Sequence, residues 1–154
     1  MNAYREMKDR HQAEVNAFPF GFAFGTDQFV EMMKKWGLCH GHDGRPTKND
    51  CRQILSIGAG GYVRKSDADA MHAMFDRHRN ELADAIAADK DDFVYQMFYA
   101  EMANHEYGYT CDPHDTLMAC GLNMMVVQSD PALYAAWKKA QDQIMKDYEE
   151  ANYE

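Results

Sequence analysis

Residues 53–88, QILSIGAGGYVRKSDADAMHAMFDRHRNELADAIAA, contain the change of pattern that decides the fold class. Two short apolar runs, separated by the glycine-rich sequence at 58–61, predict the two strands of a hairpin. From a capping Ser66 to about residue 88, apolar side chains then recur every three or four residues, which is the period of a helix. This stretch predicts a hairpin followed by a long helix.

The residues before the hairpin predict two more helices and one more strand. Apolar side chains at helical spacing from Tyr4 to Phe18 indicate a first helix that ends before Pro19. Four phenylalanines alternate with small residues over 18–24, which predicts a strand with an aromatic face in the core and a small-residue face close to a helix. A second helix is predicted from about residue 26 to Trp36.

The residues after the long helix predict a mostly helical second half. A helix begins near Asp92, an extended piece is expected at 109–111, and Asp-Pro pairs start a short helix at 112 and a last helix at 130. The acidic C-terminal tail is expected to fray. The sequence therefore predicts one helix-dominated α+β domain, residues 1–154, with a small antiparallel sheet of about three short strands and a polar loop at 38–52.

Length and composition limit the class of protein. A chain of 154 residues, 46% hydrophobic and 27% charged, is typical of one globular domain. No apolar run approaches the roughly 18–20 residues of a membrane helix, and the polar N-terminus does not resemble a signal peptide. We expect a soluble cytoplasmic protein with no membrane partner.

The net charge of −9 is concentrated in the middle of the chain. Residues 66–131 hold thirteen Asp or Glu against three Lys or Arg, and no Lys or Arg occurs between Phe93 and Trp137. The carboxylates of that stretch are expected to lack local partners. A surface of one sign repels nucleic-acid phosphates and attracts basic grooves. Direct nucleic-acid binding is therefore not expected.

None of the motifs indicates catalysis, a cofactor or a metal. The glycines at 58–61 lack the Gly-Lys-Ser/Thr of a phosphate loop, and a strand follows them instead of a helix. Glu101 and His105, four residues apart, are the best polar pair, but they match neither a metal-hydrolase nor a di-iron motif. One further set could supply zinc ligands at an irregular spacing: Cys39, His40, His42 and Cys51.

Three strings resemble a known family: FPFGFAFGTDQF (18–29), SIGAGGYVRKSDADAMHAMF (56–75) and MFYAEMANHEYGYTCDPHDTLMACG (97–121). The family consists of small uncharacterised proteins from phages and other mobile elements of gut Firmicutes, and the similarity extends to about residue 140. The loop between Leu38 and Ile54 is longer and richer in cysteine than the family pattern. The resemblance implies that the protein is encoded in a mobile element, among small accessory proteins that often antagonise host defence nucleases.

These observations lead to one hypothesis and two alternatives. We expect a non-enzymatic mobile-element accessory protein that binds and inhibits a host defence nuclease, of anti-CRISPR or antirestriction type, by acidic nucleic-acid mimicry. One alternative is a small metal-binding module or enzyme that uses the Cys/His loop. The other is an assembly or regulatory module that binds a protein partner of the element through tyrosines and methionines. The partner-binding residues predicted by the first hypothesis are Asp84, Asp89, Asp91, Asp92, Glu101, Glu106, Asp112 and Asp115.

Overall fold

The computed structural model describes residues 2–153 and confirms the predicted helix-dominated α+β class. The helices are α1 (Ala3–Ala17), α2 (Thr26–Lys35), α3 (Lys48–Cys51), α4 (Ala68–Ala88), α5 (Phe93–Asn104), α6 (Tyr107–Thr110), α7 (His114–Ala119), α8 (Met124–Ser129) and α9 (Pro131–Tyr153). The strands are β1 (Gly21–Phe22), β2 (Ile54–Gly58) and β3 (Gly61–Arg64). No helix within residues 2–153 is long and apolar enough to cross a membrane.

Internal contacts divide the chain into two compact units, which are described separately. The helical unit comprises Met1–Ala13 and His78–Glu154, and the sheet unit comprises Glu14–Arg77. The boundaries fall inside α1 and α4.

The sheet unit is built on an antiparallel sheet with the strand order β1-β3-β2. The predicted hairpin of β2 and β3 is confirmed, with Leu55 opposite Val63. Its turn passes through three residues with positive φ, Gly58, Ala59 and Gly60. A Cβ at Gly60 would lie 2.4 Å from the ring of Phe24, so glycine is needed there for close packing as well as for conformation.

The aromatic face predicted for residues 18–24 is wrong in its second half: the first two phenylalanines are half-buried, but from Gly21 onward the small residues face inward. Gly21 and Ala23 are buried, whereas Phe22 and Phe24 are 60% and 76% exposed. The reason is the close approach of α2: a Cβ at Gly21 would lie 2.5 Å from the Met32 sulfur. The expectation that the small-residue face admits a helix is thereby confirmed, although the strand itself is only two residues long.

The helical unit packs around α5, whose apolar side chains are buried on several sides. The long helix α9 packs against it, and the Trp137 ring meets Phe98 and Tyr107 edge to face at centroid distances of 5.1 and 5.8 Å. The core is completed by a set of further buried residues: Tyr4, Met7, Phe93, Val94, Met97, Met102, Leu117, Cys120, Val127, Leu133, Ala140 and Ile144.

Three details of the second half differ from the sequence expectations. Residues 109–111 were expected to be extended, but α6 occupies 107–110 between two left-handed residues, Glu106 and Cys111. Helix α8 was not predicted; the Asn123 side chain caps it by accepting a hydrogen bond from the Val126 amide at 3.0 Å. Helix α9 continues to Tyr153, so the tail that was expected to fray is helical in this structure.

Candidate acidic interface

The two units differ completely in formal charge. The sheet unit holds eight Lys or Arg and eight Asp or Glu, and is therefore neutral. The helical unit holds eight Lys or Arg and seventeen Asp or Glu, so it carries the whole net charge of −9. The helical unit thus contains ten of the thirteen Asp and Glu of the acidic middle, together with the acidic end of α9.

All eight predicted partner-binding residues lie in the helical unit, and seven of them are exposed. They fall into two groups, one before α5 and one after it. The first group is Asp84, Asp89, Asp91 and Asp92; the second is Glu106, Asp112 and Asp115. Helix α5, whose twelve residues span about 18 Å, lies between Asp92 and Glu106, the members of the two groups nearest to it in sequence.

Several of these carboxylates also stabilise helix starts. Asp89 accepts a hydrogen bond from the Val94 amide at 2.9 Å, and Asp112 accepts one from the His114 amide at 2.9 Å. The φ angles of Asp89, Asp91 and Asp92 are 43°, 57° and 59°, in the left-handed region that Asp adopts more readily than most residues. These acidic side chains therefore shape their loops and still remain open to solvent.

Intramolecular cations reach few of the exposed carboxylates. Lys139 lies 3.5 Å from Asp92. Within residues 2–153, the other six exposed members of the set form no ion pair. Their charge is available to a partner.

Glu101 differs from the rest of the set because it is buried, with 3% of the residue exposed. The Tyr4 hydroxyl donates a short hydrogen bond to it, Lys8 Nζ lies 3.7 Å from the same oxygen, and His105 Nε2 lies 3.3 Å from the other oxygen. The expectation that carboxylates of this stretch lack local partners does not extend to these contacts, because α1 brings Tyr4 and Lys8 to Glu101 from 97 and 93 residues away. Glu101 therefore anchors α1 to α5 and offers no charge to a partner.

The burial of this cluster is visible in two pKa values. Burial raises the pKa of Tyr4 well above its usual value, and the Glu101 carboxylate raises it further. Burial, with a smaller contribution from Glu101, also raises the pKa of the Cys120 thiol to about 12. Both groups keep their protons at neutral pH, so Tyr4 remains a hydrogen-bond donor and Cys120 is a weak nucleophile.

The structure brings only part of the Cys/His loop together. The His40 ring and its backbone amide both bond to Asp50, at 2.5 and 2.9 Å, and Cys39 Sγ lies 3.8 Å from the Val30 carbonyl oxygen. Cys51 and His42 are exposed. Backbone donors from Thr47 and His40 hold the pKa of Asp50 well below its usual range. Within residues 2–153, no three His, Cys, Asp or Glu side chains are grouped as metal ligands.

The structure also shows a groove of about 510 Å³ in the helical unit that the sequence analysis missed. Its lining residues are Tyr99, Met102, Ala103, Glu106, Gly108, Tyr109, Ile144, Asp147 and Tyr148. The spacing of Tyr95 and Tyr99 on one face of α5 was the available signal, but only the packing of α9 places Asp147 beside Tyr99.

Fold and surface together define a small α+β protein with exposed carboxylates on one of its two units. The chain belongs to a family of unknown function, DUF7659, whose model matches residues 3–143. The expectation of an uncharacterised family is confirmed by this match. Neither the curated proteins nor the solved structures compared with the chain include a match.

Proposed function

We propose that this chain is a non-enzymatic mobile-element accessory protein that binds and inhibits a host defence nuclease of anti-CRISPR or antirestriction type. In this proposal, the exposed carboxylates of the helical unit occupy the basic groove in which the nuclease holds nucleic acid. Glu101 is not part of the binding surface, because it is buried against Tyr4.

One observation carries the proposal: the helical unit holds the whole net charge of −9, and most of the predicted carboxylates on it are exposed and without cation partners. Grooves that bind nucleic acid neutralise phosphates with Lys and Arg, and they attract any body that offers acidic groups at a comparable density. An acidic body of this kind accelerates association with a basic groove and competes for the same side chains.

The spacing of the two acidic groups supports the same mechanism. The length of α5 between Asp92 and Glu106, about 18 Å, corresponds to about five phosphates of one DNA strand at about 3.4 Å each. The groups can therefore contact basic side chains at two places along one groove.

The resemblance of the three sequence strings to mobile-element proteins supports the choice of partner class. Small accessory proteins of mobile elements benefit their element when they disable host nucleases. The acidic surface supplies a physical means of doing so without any catalytic group.

The proposal is tested by capturing proteins from a host-cell lysate at low and moderate salt, followed by identification by mass spectrometry. The capture uses the tagged wild-type protein and two matched variants, each with four charges neutralised. The interface variant carries D84N, D91N, E106Q and D115N; the control variant carries D27N, E31Q, D43N and D69N in the neutral sheet unit. Amides keep the side-chain shape, and Asn tolerates the left-handed conformation at position 91.

The proposal predicts capture of a CRISPR or restriction nuclease by the wild type and by the control variant, with loss on the interface variant and at raised salt. Capture of a nuclease that both variants retain equally would contradict acidic mimicry. Recovery of element-encoded proteins alone, at high salt as well as low, would favour the assembly module. Stoichiometric metal in the purified protein would favour the metal-binding module.

A further inference from the structure

The groove of about 510 Å³ between α5, α6 and α9 combines aromatic rings with ionised carboxylates. The Tyr99 hydroxyl donates to Asp147 at 2.5 Å, and the Gln143 amide donates to the other oxygen of Asp147 at 2.7 Å. These two hydrogen bonds hold the pKa of Asp147 below its usual range, so its charge is present at neutral pH.

Two further tyrosines complete the groove. Tyr109 is 76% exposed, so its ring is open to solvent at the edge of the groove. A Cβ at Gly108 would lie 3.0 Å from Tyr148 Cβ, so the absence of a side chain there lets the Tyr148 ring lie against the backbone of α6. Glu106 adds a second carboxylate. Among the described residues, no Lys or Arg lines this groove.

The same protein shows how such a combination binds a cation one helical turn away. Lys139 Nζ lies 4.3 Å from the centroid of the Tyr95 ring and 3.5 Å from an oxygen of Asp92. Tyr95 and Tyr99 are neighbours on α5, with ring centroids 6.1 Å apart. At Tyr95 the protein supplies its own ammonium group; at Tyr99 the carboxylate is that of Asp147, and no Lys or Arg within residues 2–153 lines the groove.

We propose that the groove formed by Tyr99, Tyr109, Tyr148, Glu106 and Asp147 binds an arginine side chain of a partner protein. A guanidinium is planar, stacks on tyrosine rings and pairs with carboxylates through several N–H donors. The charge of the helical unit favours a cation, and the volume of the groove is ample for one long side chain.

This inference rests on the proposed function only for the source of the arginine, which is the basic groove of the nuclease. The recognition chemistry belongs to the groove itself and can be tested without any nuclease.

The test is a titration of the full chain with acetyl-Gly-Arg-Gly-amide, followed by NMR of the tyrosine ring signals. The control peptide carries citrulline, which keeps the shape of arginine and has no charge. The groove variants are Asp147→Asn and Tyr109→Ala. Their matched controls are Glu149→Gln, on the same helix, and Tyr153→Ala, whose side chain is also exposed.

We expect the arginine peptide, and not the citrulline peptide, to shift the tyrosine signals of the groove. Each groove variant should weaken binding by about twofold to fivefold, and each control should leave it unchanged. Tyr109→Ala keeps the test valid if Asp147→Asn disturbs the packing of α9, because Tyr109 is exposed.

Equal shifts with both peptides, or equal weakening by groove and control variants, would overturn the inference. Binding of the arginine peptide together with failure to capture a nuclease would contradict the proposed function and leave the groove assignment standing. The opposite result is a nuclease whose capture is not weakened by Tyr109→Ala or Asp147→Asn, together with no binding of the arginine peptide. That result would contradict the groove assignment and leave the proposed function standing.

Discussion

Substitution of Tyr4 by Phe should destabilise the protein, because it removes one donor from a buried carboxylate and changes nothing else. Tyr4 is 1% exposed, and its hydroxyl donates to Glu101, which is also buried. The ring would keep its edge-to-face contact with Phe93 at 5.8 Å. A hydrogen bond to a charged group contributes about 1.5–3 kcal/mol, so the free energy of unfolding should fall by that amount. The midpoint of thermal unfolding should fall by about 3–12 °C.

The assay is urea unfolding followed by circular dichroism, with Tyr153→Phe as the control. Tyr153 is 85% exposed on α9, so loss of its hydroxyl should leave the free energy of unfolding unchanged. A loss on Tyr4→Phe of less than about 0.5 kcal/mol would refute the anchoring role of the Tyr4–Glu101 pair, because surface substitutions reach that value without breaking any contact.

The pH dependence of the free energy of unfolding gives a second test of the Tyr4–Glu101 pair. The pKa of Tyr4 is raised in the folded state, so its contribution to stability is complete below pH 10 and is lost as the pH rises above the unfolded value near 10. In that range the unfolded chain binds fewer protons, and this one group lowers the free energy of unfolding by about 1.4 kcal/mol per pH unit. The deficit of Tyr4→Phe relative to wild type should therefore shrink above pH 10. A deficit that stays constant from pH 8 to pH 11 would contradict the assignment.

Three further predictions follow from the packing and the pKa shifts. The substitution Gly21→Ser should lower the free energy of unfolding in urea by about 1–3 kcal/mol, since the new Cβ would collide with α2. The control Gly25→Ser has open space around its Cβ and should leave that free energy unchanged. Equal losses for the two variants would contradict the packing of β1 on α2. In the native protein, a thiol reagent should modify the two exposed cysteines quickly and Cys120 only after unfolding, because Cys120 is buried and its pKa is raised to about 12. Fast labelling of Cys120 in the native protein would contradict its burial. Hydrogen bonds from Arg10 and a neighbouring histidine lower the pKa of Glu81 from 4.5 to about 2, so the contribution of Glu81 to stability is present above pH 4.5 and is lost as the pH falls towards 2. The substitution Glu81→Gln should therefore make the free energy of unfolding depend less steeply on pH in this acid range. An unchanged pH dependence would contradict the pairing.

Periodicity was sufficient to predict the long elements of this fold. The apolar stripe of α4 and the glycine-rich turn at 58–61 predicted the helix and the hairpin that the structure contains. The Asp-Pro pair at 130 likewise predicted the start of α9. These signals are local, so they depend little on what packs against them.

The failures occurred where tertiary packing overrides local pattern. Alternation is confirmed only over 21–24, and the approach of Met32 and Trp36 decides that Gly21 faces inward and Phe22 outward. The α6 turn depends on left-handed residues that are neither glycine nor asparagine, Glu106 and Cys111, for which the sequence gives no signal.

For the candidate site, the sequence predicted the composition of the acidic surface better than the position of each residue. It placed the negative charge in the middle of the chain, and most of those carboxylates lie in the helical unit. It could not separate Glu101 from its exposed neighbours, because the partner that buries it, Tyr4, lies 97 residues away. Burial of one carboxylate in a series is a property of the folded chain alone.

The salt dependence of binding tests the proposal that exposed carboxylates of the helical unit compete for a basic nucleic-acid groove. The measurement is the affinity between this protein and the nuclease identified by the capture experiment, over a series of salt concentrations. It is made for the wild type, for the interface variant (D84N, D91N, E106Q and D115N) and for the sheet-unit control variant. We expect the affinity to fall steeply as salt rises for the wild type and the control, and the interface variant to bind more weakly with a shallower slope. The same slope for all three proteins would contradict it.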